Sequence, residues 1–287
     1  MVTNIDREHL DYYDGIEAIL RAFATFANHV PFYGVSVMCA DDPQVREMLP
    51  RITKRTVLYG TSPDAEVRAD HIELLPRGSH STVEVGGRNL GTLDLRVPGR
   101  HNVLNALAAV AVGLECEVVF SHIAEALAGF TGVSRRFEIR GDVSGVTVVD
   151  DYGHHPTEIL ATLAAARGMG GRVLVLFQPH RFTRTLALAE EFGGAFRDAD
   201  RVWVLDVYPA GEAPIAGVSG RTIQERAHAQ GQRQVEHAPD AQAAVEAAAA
   251  AAQPGDLILT LGAGDVSRLA GDVLRRLEER SAVGGVR

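Results

Sequence analysis

From about residue 146 onward, short apolar runs alternate regularly with longer segments of helical period. The runs VTVVDDY (146–152), RVLVLFQ (172–178), RVWVLDV (201–207), RQVEH (233–237) and DLILTLG (256–262) predict strands. Between them, 156–167, 184–198, 220–230, 239–252 and 265–280 predict helices, the Ala-rich run AAVEAAAAAA included. Strands alternating with helices of this length imply a parallel, doubly wound sheet. In such a sheet, sites form beyond the C-terminal ends of the strands. That rule selects four segments: DDYGHHP, QPHRFTR, YPAGE and GAGD. The tail SAVGGVR is expected to fray.

The first half reads differently. MVTNI predicts a short strand, and Ile16, Ile19, Leu20, Phe23 and Phe26 recur with a helical period. VSVMCADD (35–42) is an apolar run ending in acids, as a buried parallel strand would. Residues 56–97 hold short β-rich runs broken by turn residues, a small antiparallel excursion. PGRHNVLNALAAVAVGLEC (98–116) predicts a buried helix. Around FTGVSRRFEIRGDVSG (130–145) glycine and charge interrupt the pattern, and a domain border is expected between about 137 and 145. The fold class is α/β in two domains, 1–138 and 139–287, the second a doubly wound, mostly parallel dinucleotide fold.

Length and composition narrow this picture only a little. Two domains are the default at 287 residues. A net charge of -9 argues against a nucleic-acid backbone binder. No stretch approaches the roughly 20 apolar residues of a membrane span, and the opening residues show no apolar signal region. Cys39 and Cys116 lie in apolar runs and read as two buried thiols in a reducing compartment. A cytoplasmic protein is expected, with neither nucleic acid nor membrane as partner. Lys54 is the only lysine and has no glycine loop before it, so no phosphate-gripping P-loop lies within these residues.

Each candidate motif has a functional and a bland reading. In Asp150-Asp151-Tyr152-Gly153-His154-His155-Pro156, the acids and imidazoles can bind a ribose, a metal or a carboxylate. Equally, this is a polar turn with Asp caps and Pro156 in the first helical turn. Arg181 and Arg184, beside His180, lie three apart at a helix start, where guanidinium groups and the dipole favour an anion. The bland alternative, a solvated basic first turn, is disfavoured by that same dipole. Asn102 and Asn105 share a helix face and can pair with an adenine edge, although Asn102 also reads as an N-cap. His9, near Asp6, Glu8 and Asp11, is a candidate metal ligand or an exposed polar residue. Gly262-Ala263-Gly264 lacks the third glycine of a dinucleotide fingerprint and reads as a tight turn.

Taken together and in this order, TNIDREHLD, PGRHNVLNA, SRRFE, DDYGHHPTE, LFQPHRFTRT and YPAGEAPI resemble the Mur ligases, over about residues 2 to 280. FQPHRFTRT with YPAGEAPI narrows the resemblance to the alanine-adding branch. It implies that 1–138 is the later part of a central P-loop-type ATPase domain and 139–287 the C-terminal domain. It implies ATP and Mg2+ as cofactors, with UDP-N-acetylmuramate and L-alanine as substrates joined through an acyl phosphate. By the same resemblance His9 is a magnesium ligand, and Asn102, Asn105, Arg136 and Asp151 hold the nucleotide. His154, His180, Arg181 and Arg184 surround the muramoyl carboxylate and the incoming alanine.

The UDP-binding domain and P-loop would then lie upstream of Met1, in cis or in trans. The alternative is a non-catalytic or regulatory two-domain protein that retains a nucleotide-binding surface. The 287-residue chain alone is expected to release no phosphate above a no-enzyme blank when given UDP-N-acetylmuramate, L-alanine, ATP and magnesium. Turnover well above the blank would overturn that expectation.

Overall fold

A computed structural model describes residues 1–10 and 12–284 as two compact units, the first Met1–Thr131 and the second from Gly132 onward. The border falls earlier than 138/139 because the intervening residues bond to the second unit. Arg135 reaches Asp150 at 3.4 Å, and the Phe137 N–H donates to Asp151 at 2.8 Å.

In the first unit, α1 (Ile16–Asn28) and β1 (Ser36–Cys39) precede the short α2 (Pro43–Met48), which Asp42 caps by accepting from the Val45 N–H. Strands β2 (Thr56–Gly60), β3 (Val67–Leu75), β4 (Gly78–Val85) and β5 (Arg88–Leu95) complete a sheet of order β1-β2-β3-β4-β5. β1, β2 and β3 run parallel, and only the β3–β4–β5 meander is antiparallel. The expected strand at MVTNI is a single parallel bridge from Val2 to Met38.

β1 is buried along its whole length because it is covered on both faces. Met38 packs with Leu20 and Ala24 of α1, whereas Val37 and Cys39 pack with Val103 and Leu107 of α3 (Arg100–Glu115). α4 (Phe120–Gly129), which the sequence reading did not anticipate, leans Ile123 on that second core. Cys39 is buried as expected, but Cys116, at the exposed end of α3, is not.

The second unit opens with β6 (Glu138–Val143), antiparallel to β7 (Val146–Asp151). Then follow α5 (Pro156–Arg167), β8 (Val173–Phe177), α6 (Phe182–Ala187), α7 (Ala189–Gly194), β9 (Arg201–Val204) and α8 (Gly220–Ala229). β10 (Val235–His237), α9 (Ala241–Ala251), β11 (Leu257–Leu261) and α10 (Ser267–Gly284) close it. The sheet order is β10-β9-β8-β11-β7-β6, parallel except at β6. β8 is a continuous apolar run, β11 is broken only by Thr260, and β7 is buried along nearly its whole length although it ends in two aspartates. Leu174, Leu176 and Ile258 pack under α9 and α10, while Phe177 meets Phe192 and Phe196 on the opposite face.

The helix expected over 184–198 is two short ones, broken at Leu188, whose side chain turns into the core. Gly193 and Gly194, both poor helix formers, end the second piece. The tail does not fray where expected: α10 continues through Gly284, and 285–287 lie outside the described residues. No helix among the described residues is long and apolar enough to cross a membrane.

At the lower rim of this sheet, Gly171 has φ 76°, and a Cβ there would sit 1.9 Å from the Gly255 carbonyl oxygen. Gly171→Ala therefore combines left-handed strain with a backbone clash and is expected to cost about 2–4 kcal/mol. The protein's single tryptophan, Trp203, is buried in β9, so fluorescence-monitored denaturation reads this unit selectively. An unchanged midpoint would contradict the expectation.

Candidate active site

At the upper end of β7, two adjacent carboxylates are buried: Asp150 is 0% and Asp151 5% exposed. Asp150 pairs with Arg135 and accepts from the Thr260 hydroxyl at 2.7 Å. Asp151 accepts from the N–H groups of Phe137 (2.8 Å) and Gly153 (2.7 Å) and from the Thr162 hydroxyl (3.3 Å). Burial pushes the Asp151 pKa up, and the two N–H donors oppose it. These bonds tie Asp151 to the turn and to the start of the second unit.

The turn after it opens α5. His155 is the cap, its Nδ1 accepting from the Thr157 N–H, and Pro156 takes the first helical position; neither Asp caps the helix. Glu158 reaches back to accept from the backbone N–H groups of His154 (2.9 Å) and His155 (3.1 Å). Arg136 also donates to it at 3.3 Å, with its guanidinium 5.5 Å from the Tyr152 ring centroid. His154 is thereby fixed, with Nδ1 3.1 Å from the Tyr152 carbonyl and 3.6 Å from Glu158.

Beyond β8, the ladder to β9 resumes for one step: Tyr208 N–H donates to Pro179 O, and Arg181 N–H donates to Tyr208 O, both at 2.8 Å. This bridge sets the His180 ring flat against Tyr208, with centroids 5.6 Å apart and planes at 9°. On its other side lies His154, at 5.4 Å. Arg184 donates to His180 Nδ1 and to its carbonyl oxygen, each at 3.2 Å. Burial, the neighbouring His154 and the charges of Arg184 and Arg181 push the His180 pKa down to about 4. His180 is neutral at physiological pH.

Arg181 adopts a left-handed φ of 70° and lies 3.6 Å from Glu212. Glu212 also accepts from the Thr183 N–H and hydroxyl, tying the YPAGE loop to the start of α6. With six residues and one early N–H already donated to Glu212, α6 contributes little as a dipole. The positive charge at this end of the fold comes from the guanidinium groups of Arg181 and Arg184 rather than from the helix dipole.

The GAGD segment is a tight turn between β11 and α10. The Gln178 amide donates to Asp265 at 2.8 Å and accepts from the Val266 N–H at 3.2 Å. Gly264 packs so closely that a Cβ would come within 2.7 Å of the Tyr208 ring. Hence three of the four strand-end segments converge on His180 through Tyr208, His154 and the arginines.

In the first unit, α3 begins at Arg100, with Gly99 as its cap. Asn102 therefore lies inside the first turn, where its amide donates to the Pro98 carbonyl at 2.7 Å, and it is not the N-cap. Asn105 is exposed one turn on. Arg100 bonds the Thr61 hydroxyl and stands 3.6 Å from Asp41. Burial acts to raise the Asp41 pKa, but the donors of Thr61 and Ser62 outweigh it and hold the carboxylate below its usual range.

His9 is exposed, with a left-handed φ of 53°. Asp11 lies outside the described residues, and among those described no three His, Cys, Asp or Glu side chains gather to hold a metal.

Sequence reasoning did not single out Arg135, Glu158, Tyr208 or Glu212 as individuals. The last two stood within YPAGE, and Glu158 carries the signal of a Glu three residues after a helix cap.

Comparison with known proteins bears on both units. The family model "Mur ligase middle domain" matches residues 1–113, and "Mur ligase, glutamate ligase domain" matches 135–264. The UDP-N-acetylmuramate–L-alanine ligase of Solibacter usitatus is 50% identical over 278 residues, 96% of this chain and 59% of that protein. The protein of the same name from Geobacter sulfurreducens is 49% identical over 284 residues, 97% of this chain and 61% of its own. Among solved structures, the UDP-N-acetylmuramate–alanine ligase of Thermotoga maritima superposes with a TM-score of 0.76 at 25% identity. It is covered over 97% of this chain and 59% of its own. The chain spans about three fifths of the length of the curated relatives it matches.

Glu158 yields a pH-dependent prediction. Burial acts to raise its pKa, but the His154 N–H, the charge of His154, the His155 N–H and Arg136 together lower it below 4.5. A depressed carboxylate stabilises the fold above its unfolded pKa and loses that contribution as pH falls through the folded value. Glu158→Gln is expected to cost about 1–2 kcal/mol at neutral pH. The difference from the parent should shrink at about pH 3, read by denaturation at both pH values. A pH-independent difference would contradict it.

Proposed function

Since the chain belongs to the Mur ligase family, we propose that its two units serve the ATP-dependent joining of L-alanine to UDP-N-acetylmuramate through an acyl phosphate. The observation that carries this reading is the cluster of His154, neutral His180, Arg181 and Arg184 beyond β7 and β8. A carboxylate becoming an acyl phosphate, beside an amino acid's own carboxylate, presents several negative oxygens. Paired guanidinium groups meet such oxygens with fixed geometry, and neutral His180 adds a hydrogen-bond donor without a further charge.

In the first unit, Asn102 and Asn105 on the opening turns of α3 suit an adenine edge, and Asp41 with Arg100 braces that helix start. In the second, Arg136 adds a cation for the nucleotide, and Asp151 serves it by holding the loop. ATP, when bound, supplies the phosphoryl group that activates the acid. For magnesium, His9 by itself is one exposed imidazole, whereas this ion prefers several oxygen ligands. Among the described residues no three His, Cys, Asp or Glu side chains gather to hold it.

In a ligase polypeptide carrying both units with a P-loop, Arg181→Ala is expected to lower kcat/KM by about 2–4 kcal/mol, the scale for one preorganised charge-stabilising donor. Binding of an ATP analogue should barely move. A tenfold loss of nucleotide affinity with unchanged turnover would refute the assignment.

A further inference from the structure

We infer that His154 and His180 are locked in opposite tautomers, and that His154 takes the proton shed by the amino group of the incoming amino acid. The substrate half of this rests on the ligase reading above; the tautomer half rests on hydrogen-bond chemistry alone. A carbonyl oxygen can only accept, so the 3.1 Å contact to Tyr152 O requires the proton of neutral His154 on Nδ1. Its Nε2 then carries the lone pair. A guanidinium can only donate, so the 3.2 Å contact from Arg184 requires His180 Nδ1 to be bare, with its proton on Nε2. Two rings 5.4 Å apart thus offer opposite polarity, an acceptor on His154 and a donor on His180.

The surrounding charges support the same division. Glu158, on the first turn of α5, stands 3.6 Å from His154 Nδ1 and stabilises the imidazolium that forms when Nε2 takes a proton. Arg136, from the segment before β6, faces that carboxylate from its far side. His180 is packed against Arg184 and feels Arg181, which oppose any positive charge on it, while Glu212 stands behind Arg181. One imidazole is built to become cationic, and the other is built to stay neutral.

In the step itself, the ammonium of the amino acid gives one proton to His154 Nε2. The freed amine attacks the acyl phosphate carbon, the C–N bond forms, and the C–O bond to phosphate breaks. The second amine proton leaves with the phosphate as hydrogen phosphate, and His154 returns its proton to solvent. No electrons are exchanged with any other reagent.

Two measurements decide the matter. Long-range proton–nitrogen correlation spectra of the imidazoles in the 287-residue chain should show His154 protonated on Nδ1 and His180 on Nε2 when neutral. His180 should stay neutral at every pH above about 5.5. His154→Asn and His180→Gln provide the assignments. A His154 protonated on Nε2 alone, or a His180 that titrates near neutrality, would overturn the pair.

The kinetic arm uses a ligase polypeptide carrying both units with a P-loop. Asn at 154 keeps a donor for the Tyr152 carbonyl but has no ring acceptor. His154→Asn should lower kcat about a hundredfold or more at neutral pH, with KM for alanine little changed. The deficit should close as rising pH deprotonates the amine directly. Turnover within threefold of the parent would overturn the proton transfer. A parent that ligates no alanine would overturn the ligase reading and the proton transfer together, leaving the tautomers to the spectra.

Discussion

Two neighbouring carboxylates buried at the end of β7 constrain everything around them. Burying charge is costly unless it is paired and hydrogen-bonded, so Asp150 and Asp151 draw their compensation from wherever the chain can supply it. Arg135 and the Phe137 N–H come from the segment before β6, and Thr260 comes from β11. Gly153 and Thr162 come from the loop and helix that follow. Fixing those partners fixes the path of residues 152–155 and hence the position of His154. Glu158 completes the clamp from within α5.

The remaining parts of the site are tied to this anchor by stacking. His154 faces His180, which lies flat on Tyr208, and Tyr208 occupies the space that a side chain at Gly264 would need. Loops after β7, β8, β9 and β11 therefore hold one another in place. Arg181 and Arg184 bring two cations to this stack, and burial keeps the nearer imidazole neutral. The result is two guanidinium groups and two imidazoles gathered beyond β7 and β8.

Much of this was legible in the sequence because buried parallel strands are long apolar runs. All five strands expected after residue 145 exist, and the segments that the strand-end rule selected lie together beyond them. β6 escaped because IRGDVSG is polar and glycine-bearing, as an antiparallel edge strand with a bulge is allowed to be. The break at Leu188 was hidden because an inward-turned leucine fits a continuous helical pattern just as well. Asp151 is the instructive residue: its type and place suggested a ligand, and only the structure shows that it also holds the turn through three donors. Glu158 follows the capping spacing, whereas Glu212 accepts from the Thr183 N–H at the start of α6, a contact that no spacing in the sequence encodes. The paired arginines stand at the start of α6 as the sequence placed them, and the positive charge there comes from the guanidinium groups and not from the six-residue helix behind them.

The most direct test is a crystal structure of the chain with N-acetylmuramoyl-L-alanine, the shared chemistry of acceptor and amino acid. The account predicts the ligand's carboxylate within hydrogen-bond distance of Arg181 or Arg184, with its amide beside His154 and His180. A ligand bound elsewhere on the chain, or none bound at millimolar concentration, would contradict it.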